Sequence, residues 1–161
     1  INCWSYNLNQ GKWGQDYNLR AATALRSLGQ NEAKEALYLN ARKDNSGQTL
    51  NGHTGYQMTF AAGQLPPVDG FWSVTMYNDD NFLVENSILR YALGDRTKGL
   101  VYQSDGSLTI HIQHHQPHQL NHQANWLPAP VGDFRLSLRL YIPHQTVLDG
   151  HWHPPVVVAN N

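Results

Sequence analysis

A mainly β domain, a two-sheet sandwich or barrel with helix confined to the N-terminal part, is what this sequence predicts, and three observations lead there. Residues 134–141 alternate strictly, with Phe134, Leu136, Leu138 and Leu140 in one phase and Arg135, Ser137 and Arg139 in the other. That is the period of a strand with one face in a core and the other in water. From Leu37 onward Gly, Pro, Asn and Asp recur about every ten residues, the spacing of turns between short strands. Near the start, by contrast, one stretch carries helical spacing between helical caps.

The elements follow in order. Ile1 to Gly14 is an aromatic, amide-rich lead segment holding Cys3, Trp4, Tyr6 and Trp13, without a helical or strand pattern, and it reads as extended chain. Residues 15–29 read as a helix: Asp16 is a good N-cap, Gly29 a good stop, and Leu19, Ala22, Leu25 or Arg26, and Leu28 form an apolar stripe. A second short helical turn is expected from Asn31 to Leu37. The β-sandwich is expected over residues 37–158. Within it Tyr56 to Phe60 alternates like residues 134–141, and Phe71 to Tyr77 is rich in aromatic and β-branched side chains. Leu100 to Gln103 and Ser107 to Ile112, joined through Asp105-Gly106, read as a hairpin. Leu127-Pro128-Ala129-Pro130 is a stiff connector. Residues 1–161 read as one domain, long enough to bury its own core.

Composition narrows the function. Eleven Lys and Arg face 12 Asp and Glu, a net charge of -1, so there is no overall basic field for nucleic acid. No apolar run approaches the roughly 18 residues of a membrane span. Cys3 stands alone, which removes an internal disulfide framework and leaves it as a small buried hydrophobe or a link between subunits. Charged residues are 14%, against about a quarter in ordinary soluble domains. Amides carry the polarity instead, with 15 Asn and 12 Gln. Amides hydrogen-bond at any pH and ignore salt, which suits a surface outside the cell. The chain starts at Ile1 rather than Met, as a chain cleaved from a signal peptide would. The expected localisation is secreted or cell surface.

Candidate sites are few. His111, His114, His115, His118 and His122 cluster in sequence, with His151 and His153 at strand spacing near the C-terminus. A metal would draw on His111, His114, His151 and His153. Strand phase sets His111 and His115 opposite His114, and Pro117 breaks the run, so no three-ligand face results. These histidines are read as solvated loop residues, and neither metal nor cofactor is expected. Asp79-Asp80 is the one adjacent carboxylate pair, and it sits in a turn. There is no GxSxG elbow, and Ser73 lies inside a strand. Arg90 and Asp95 are read as a buried ion pair fixing a strand crossing, against the alternative of an anion clamp at Arg90.

Several motifs in order resemble a known family: Gly63 to Asn78, Asn86 with Leu89 to Arg96, Asp105 to Leu108, Asn125 to Pro130, Phe134 to Pro143, and Leu148-Asp149-Gly150 with Trp152 and Pro154-Pro155. Over about Trp13 to Val157 the chain resembles the domain of unknown function 1214 family. The resemblance implies a jelly-roll-like antiparallel β-sandwich with one or two N-terminal helices packed against it. It also implies a frequent partner, domain of unknown function 1254, and some such two-domain proteins are described as hydrolases. No catalytic residues come with it.

The expected function is an extracellular self-associating subunit of a fibre, coat or surface assembly, without catalytic activity of its own. Ile1, Cys3, Trp4, Tyr6 and Trp13 at one end and Val156, Val157 and Val158 at the other are the assembly residues. They would add to sheet edges of neighbouring copies and so build an open helical filament. A hydrolase working with an accessory domain and a carbohydrate-binding module, its partner a glycan, are the alternatives.

Overall fold

The computed structural model describes residues 1–26 and 29–160. Ser27 and Leu28, at the end of the expected helix, lie outside these. Two sheets stack into a sandwich. The first holds, in spatial order, β1 (Trp4–Ser5), β2 (Ala36–Ala41), β8 (Phe134–Pro143), β4 (Val68–Asn78) and β5 (Ala92–Gly94), all antiparallel. The second holds β7 (Trp126–Pro128), β6 (Leu108–Gln113), β3 (Tyr56–Phe60) and β9 (Val157–Ala159), antiparallel except for the parallel pair of β6 and β7.

The alternation read in the sequence sets the faces. Leu136, Leu138 and Leu140 point inward from β8 beside Leu37 and Leu39 of β2 and Val74 and Met76 of β4. They meet Met58 and Phe60 of β3 and Leu108, Ile110 and Ile112 of β6, all buried. Aromatic pairs tie the sheets together: Phe60 lies 5.1 Å from Trp72, and Tyr56 meets Phe134 edge-on at 5.8 Å. Gly94 is required where β5 meets β4, since a Cβ there would stand 2.1 Å from the Trp72 carbonyl oxygen.

The lead segment is part of this core. β1 pairs with β2 so that Trp4 opposes inward-facing Ala41, which turns the indole into the sandwich, 3% exposed. Trp4 Nε1 donates to the Pro155 carbonyl at 2.8 Å, and Asn2 Nδ2 to the Pro154 carbonyl at 2.8 Å. Tyr6 and Leu8 pack against the core, and buried Gln10 donates to the Ala36 and Asn31 carbonyls. Backbone and ring of Trp4 thus find partners in their own chain. Ile1 remains exposed and Trp13 is half-buried. Cys3 is exposed rather than buried, its thiol donating to the Asp44 carbonyl at 2.9 Å. Val157 is fully buried, whereas Val156 and Val158 face outward.

The helical expectations resolve in detail. Helix α1 (Tyr17–Arg26) takes its cap from Asp16, whose Oδ1 accepts from the Leu19 N–H at 2.9 Å. It lies at the surface with Leu19 and Thr23 half-buried, whereas Ala22 and Leu25 of the expected stripe are exposed. The second helical turn shortens to one turn closed by Glu32, and β2 begins at Ala36 because Leu37 and Leu39 alternate into the core. Two short helices were not foreseen, α2 (Leu120–Ala124) and α3 (Gln145–Leu148).

The expected hairpin is corrected. Its Asp105-Gly106 turn forms, with Ser107 N–H on Asp105 Oδ1 and Gln103 N–H on the Ser107 carbonyl. Leu100 to Gln103 is not a strand: the Asn125 side chain stands between Val101 and Thr109, and β7 pairs with β6 only at His111 to Gln113. Trp4→Ala should lower stability by about 3–5 kcal/mol, the usual cost of truncating a buried Trp, measured by denaturant unfolding. A loss under about 1 kcal/mol would place the ring outside the core.

Candidate functional site

The outer face of the four-stranded sheet carries two adjoining hollows of about 400 and 320 Å³ that share Gln57. Strand register builds their floor. Val158, Gln57, His111 and Trp126 form one row across β9, β3, β6 and β7, and Thr59 pairs with Thr109 in the next. These are the outward positions of strands whose inward positions fill the core.

Side chain to main chain hydrogen bonds raise the walls. Asn125 accepts the Val101 N–H at 2.9 Å and donates to the carbonyls of Val101 and Thr109 at 2.7 and 2.9 Å. One amide therefore does the work of a missing strand, holding Val101 and Tyr102 beside β6. On the other side α2 lies over β6 and stacks His122 on His111, ring centroids 3.9 Å apart. Its C-terminal end is held by Arg90, whose Nη1 donates to the carbonyls of Gln123, Ala124 and Trp126 at 2.9, 3.2 and 2.9 Å. These are carbonyls that a helix end and a short strand leave unpaired. Asn86 in turn fixes Arg90 by accepting its N–H and donating to its carbonyl, each at 2.9 Å.

Among the described residues Arg90 makes no ion pair; its Nη1 braces main-chain carbonyls. Asp95 accepts the Trp72 N–H instead. Burial lowers the Arg90 pKa.

The smaller hollow is polar, whereas Val156, Val158 and Ala159 make half of the larger hollow's lining aliphatic. Among the described residues lining the two hollows there is no Asp, Glu, Lys or Arg. His111 is only 7% exposed, and burial, reinforced by His122, pushes its pKa down to about 4, so it is neutral near pH 7. Gln103 Nε2 donates to the Thr109 hydroxyl, which shares a second hydrogen bond with the Thr59 hydroxyl, both at 2.8 Å. Gln57 stands exposed beside them. Such a surface offers amide, hydroxyl and imidazole groups to a neutral hydroxylated ligand. It has no carboxylate pair for general acid and base chemistry across a sugar.

The histidines separate. His111 is not in a solvated loop, since β6 carries it beneath α2. His114 Nδ1 lies 2.9 Å from the Ala129 carbonyl oxygen, and His151 and His153 are exposed. Among the described residues no group of three or more His, Cys, Asp or Glu could hold a metal. Asp79 pairs with Arg42 at 2.9 Å on the surface. Gln57, Gln103, Thr109, His122 and Asn125 were missed as site residues. The outward phase of Thr109 and His111 against Leu108, Ile110 and Ile112 was the signal available.

With this geometry in place, comparison with known proteins is informative. Residues 35–145 match a family described as "Protein of unknown function (DUF1214)". The chain belongs to the DUF1214 family. A crystal structure of the VPA0106 protein from Vibrio parahaemolyticus shares this fold over 89% of the chain, with 29% identity and a TM-score of 0.74. A protein from Burkholderia cenocepacia is similar over 78% of the chain at 18% identity, TM-score 0.47. The chain spans about a third of the length of these relatives, 35% and 29% respectively. No curated protein matches it. The DUF1214 match includes Asn86, Arg90 and Asn125, the residues that build the cleft walls.

A pH dependence follows from His111. The unfolded side chain titrates near 6.5 and the folded one near 4, so the unfolded chain takes up the proton first. Stability should fall as pH drops through 6.5, the loss being complete below about 4 and absent above 6.5. At about 1.36 kcal/mol per unit it reaches at most about 3 kcal/mol. Denaturant unfolding of the wild type and His111→Gln between pH 8 and 4 should show that difference, and parallel curves would refute the shift.

Proposed function

We propose that this domain is a binding module for a neutral polyhydroxylated ligand, a glycan, seated on the outer face of the four-stranded sheet of a secreted or cell-surface protein. The observation that carries the reading is the uncharged lining of the two joined hollows. A floor of Gln, Thr and neutral His matches hydroxyl groups in both hydrogen-bonding senses without asking for a charged partner. Tyr102, at 45% exposure on the wall, offers a ring for stacking against a sugar. The Asn86, Arg90 and Asn125 bonds pre-form the walls, which lowers the ordering cost of binding. The amide-rich, charge-poor composition agrees with an extracellular setting.

A screen of neutral oligosaccharides followed by titration calorimetry tests this. A binder should be weakened about tenfold or more by Gln57→Ala and by His122→Ala, one lost hydrogen bond each, with unchanged thermal stability. Absence of any neutral glycan ligand, or binding indifferent to both changes, sinks the proposal.

Self-association is a second reading, favoured by one observation. β9 is an edge strand of three residues, and Val156 just before it and Val158 within it are 37% and 39% exposed, so a second copy could add there. On this reading concentrated protein sediments as oligomers and Val158→Lys returns it to the monomer. A monomer at all concentrations rejects it.

A further inference from the structure

The opposite face of the molecule has another character. Four of the chain's seven arginines, Arg42, Arg96, Arg135 and Arg139, gather on the outer face of the five-stranded sheet. β8 places Arg135 and Arg139 in its outward phase, with register partners Tyr77 and Tyr38. Arg135 lies over the Tyr77 ring at 4.2 Å, and Arg139 flanks the same ring at 5.8 Å and donates to its hydroxyl. Arg96 covers Phe71 at 4.3 Å, and Phe71 stacks on Tyr141 at 4.2 Å. Aromatic faces hold the guanidinium groups in place.

Among the described residues only Arg42 of this set has an ion-pair partner. Arg42 has Asp79, but Arg135 is met by neutral amide oxygens of Asn40 and Asn81, both at 2.9 Å. At the centre of the face Arg139 Nε and Thr75 Oγ1 are buried without a partner among the described residues. Burial, and then the charges of Arg42 and Arg139, hold the Arg135 pKa below its ordinary value, so these cations feel one another. Tyr38, raised to about 12, supplies no phenolate.

We infer that this arginine–tyrosine face is a second binding surface, for a polysaccharide that carries carboxylates along its length. Planar guanidinium forks suit carboxylates, and the fixed interval between Arg135 and Arg139, about 13 Å between Cα atoms for four strand residues, calls for charges spaced along a chain. Tyrosine hydroxyls and rings between them suit the sugar units. β8, which carries Arg135 and Arg139, lies between β2 and β4, so an acidic peptide finds no sheet edge at these two arginines to extend. The two β8 arginines stand about 13 Å apart, a wider interval than that of nucleic-acid phosphates, whose charges recur every few ångströms. The surface is independent of the neutral cleft, which lies on the other sheet.

Affinity electrophoresis of the whole protein through polygalacturonate, its fully methyl-esterified form, polyglutamate and single-stranded DNA decides the matter. Polygalacturonate should retard the wild type, the esterified polymer at least about tenfold less. Retardation should weaken about tenfold in Arg135→Gln/Arg139→Gln and measurably in the exposed, fold-neutral variant Arg42→Gln, while His122→Ala leaves it unchanged. Equal binding of the esterified polymer, tighter binding of polyglutamate or DNA, or no retardation at all overturns the inference. The unmodified protein suffices for those outcomes, so they stand even if the double variant fails to fold.

Discussion

The phase of β8 is the constraint on which the rest of the structure hangs. It is the central strand of the larger sheet, bonded to β2 along one side and β4 along the other. Its inward leucines fill the middle of the core, and its outward positions carry Arg135, Ser137 and Arg139. A slip of one residue would exchange the two sets, burying two guanidinium groups and exposing three leucines. The hydrophobic core and the cationic face are therefore one decision expressed on two sides of a strand. The same logic seats Trp4, because pairing with Ala41 puts its ring on the buried side.

The smaller sheet is finished by side chains more than by strands. Its edges are three-residue strands, and beyond β7 the backbone runs irregularly. Asn86, Arg90 and Asn125 satisfy carbonyls and amides that a longer strand or helix would have paired. Each bond is modest, but removing its side chain would leave several main-chain groups unpaired at once. That explains how polar residues from separated segments shape one cleft.

The two outer faces divide the molecule's polarity. One offers amides, hydroxyls and imidazoles without charge. The other concentrates arginine over aromatic rings. A net charge of -1 conceals this division, since it averages over surfaces that point in opposite directions. Family membership and the solved relative with a TM-score of 0.74 support the fold.

Much of the architecture was legible from one dimension. The alternations of residues 56–60 and 134–141, the aromatic and β-branched run of 71–77, the cap at Asp16 and the Asp105-Gly106 turn depend on neighbours in the chain, and neighbours suffice to read them. The hairpin arm at Leu100 to Gln103 failed because the side chain of Asn125, remote in sequence, takes the hydrogen bonds of Val101 and Thr109 that strand pairing would have used. The lead segment looked unassigned because the groups that hold it, Pro154, Pro155 and Ala41, are remote in sequence. His111 looked like one of a run of loop histidines until α2 folded over it. Chain-local periodicity thus determined which residues face a core, whereas only folding decided which outward residues meet. Strand register and three side-chain braces, not sequence distance, set those encounters, because contact between remote segments depends on which edges are still free to pair.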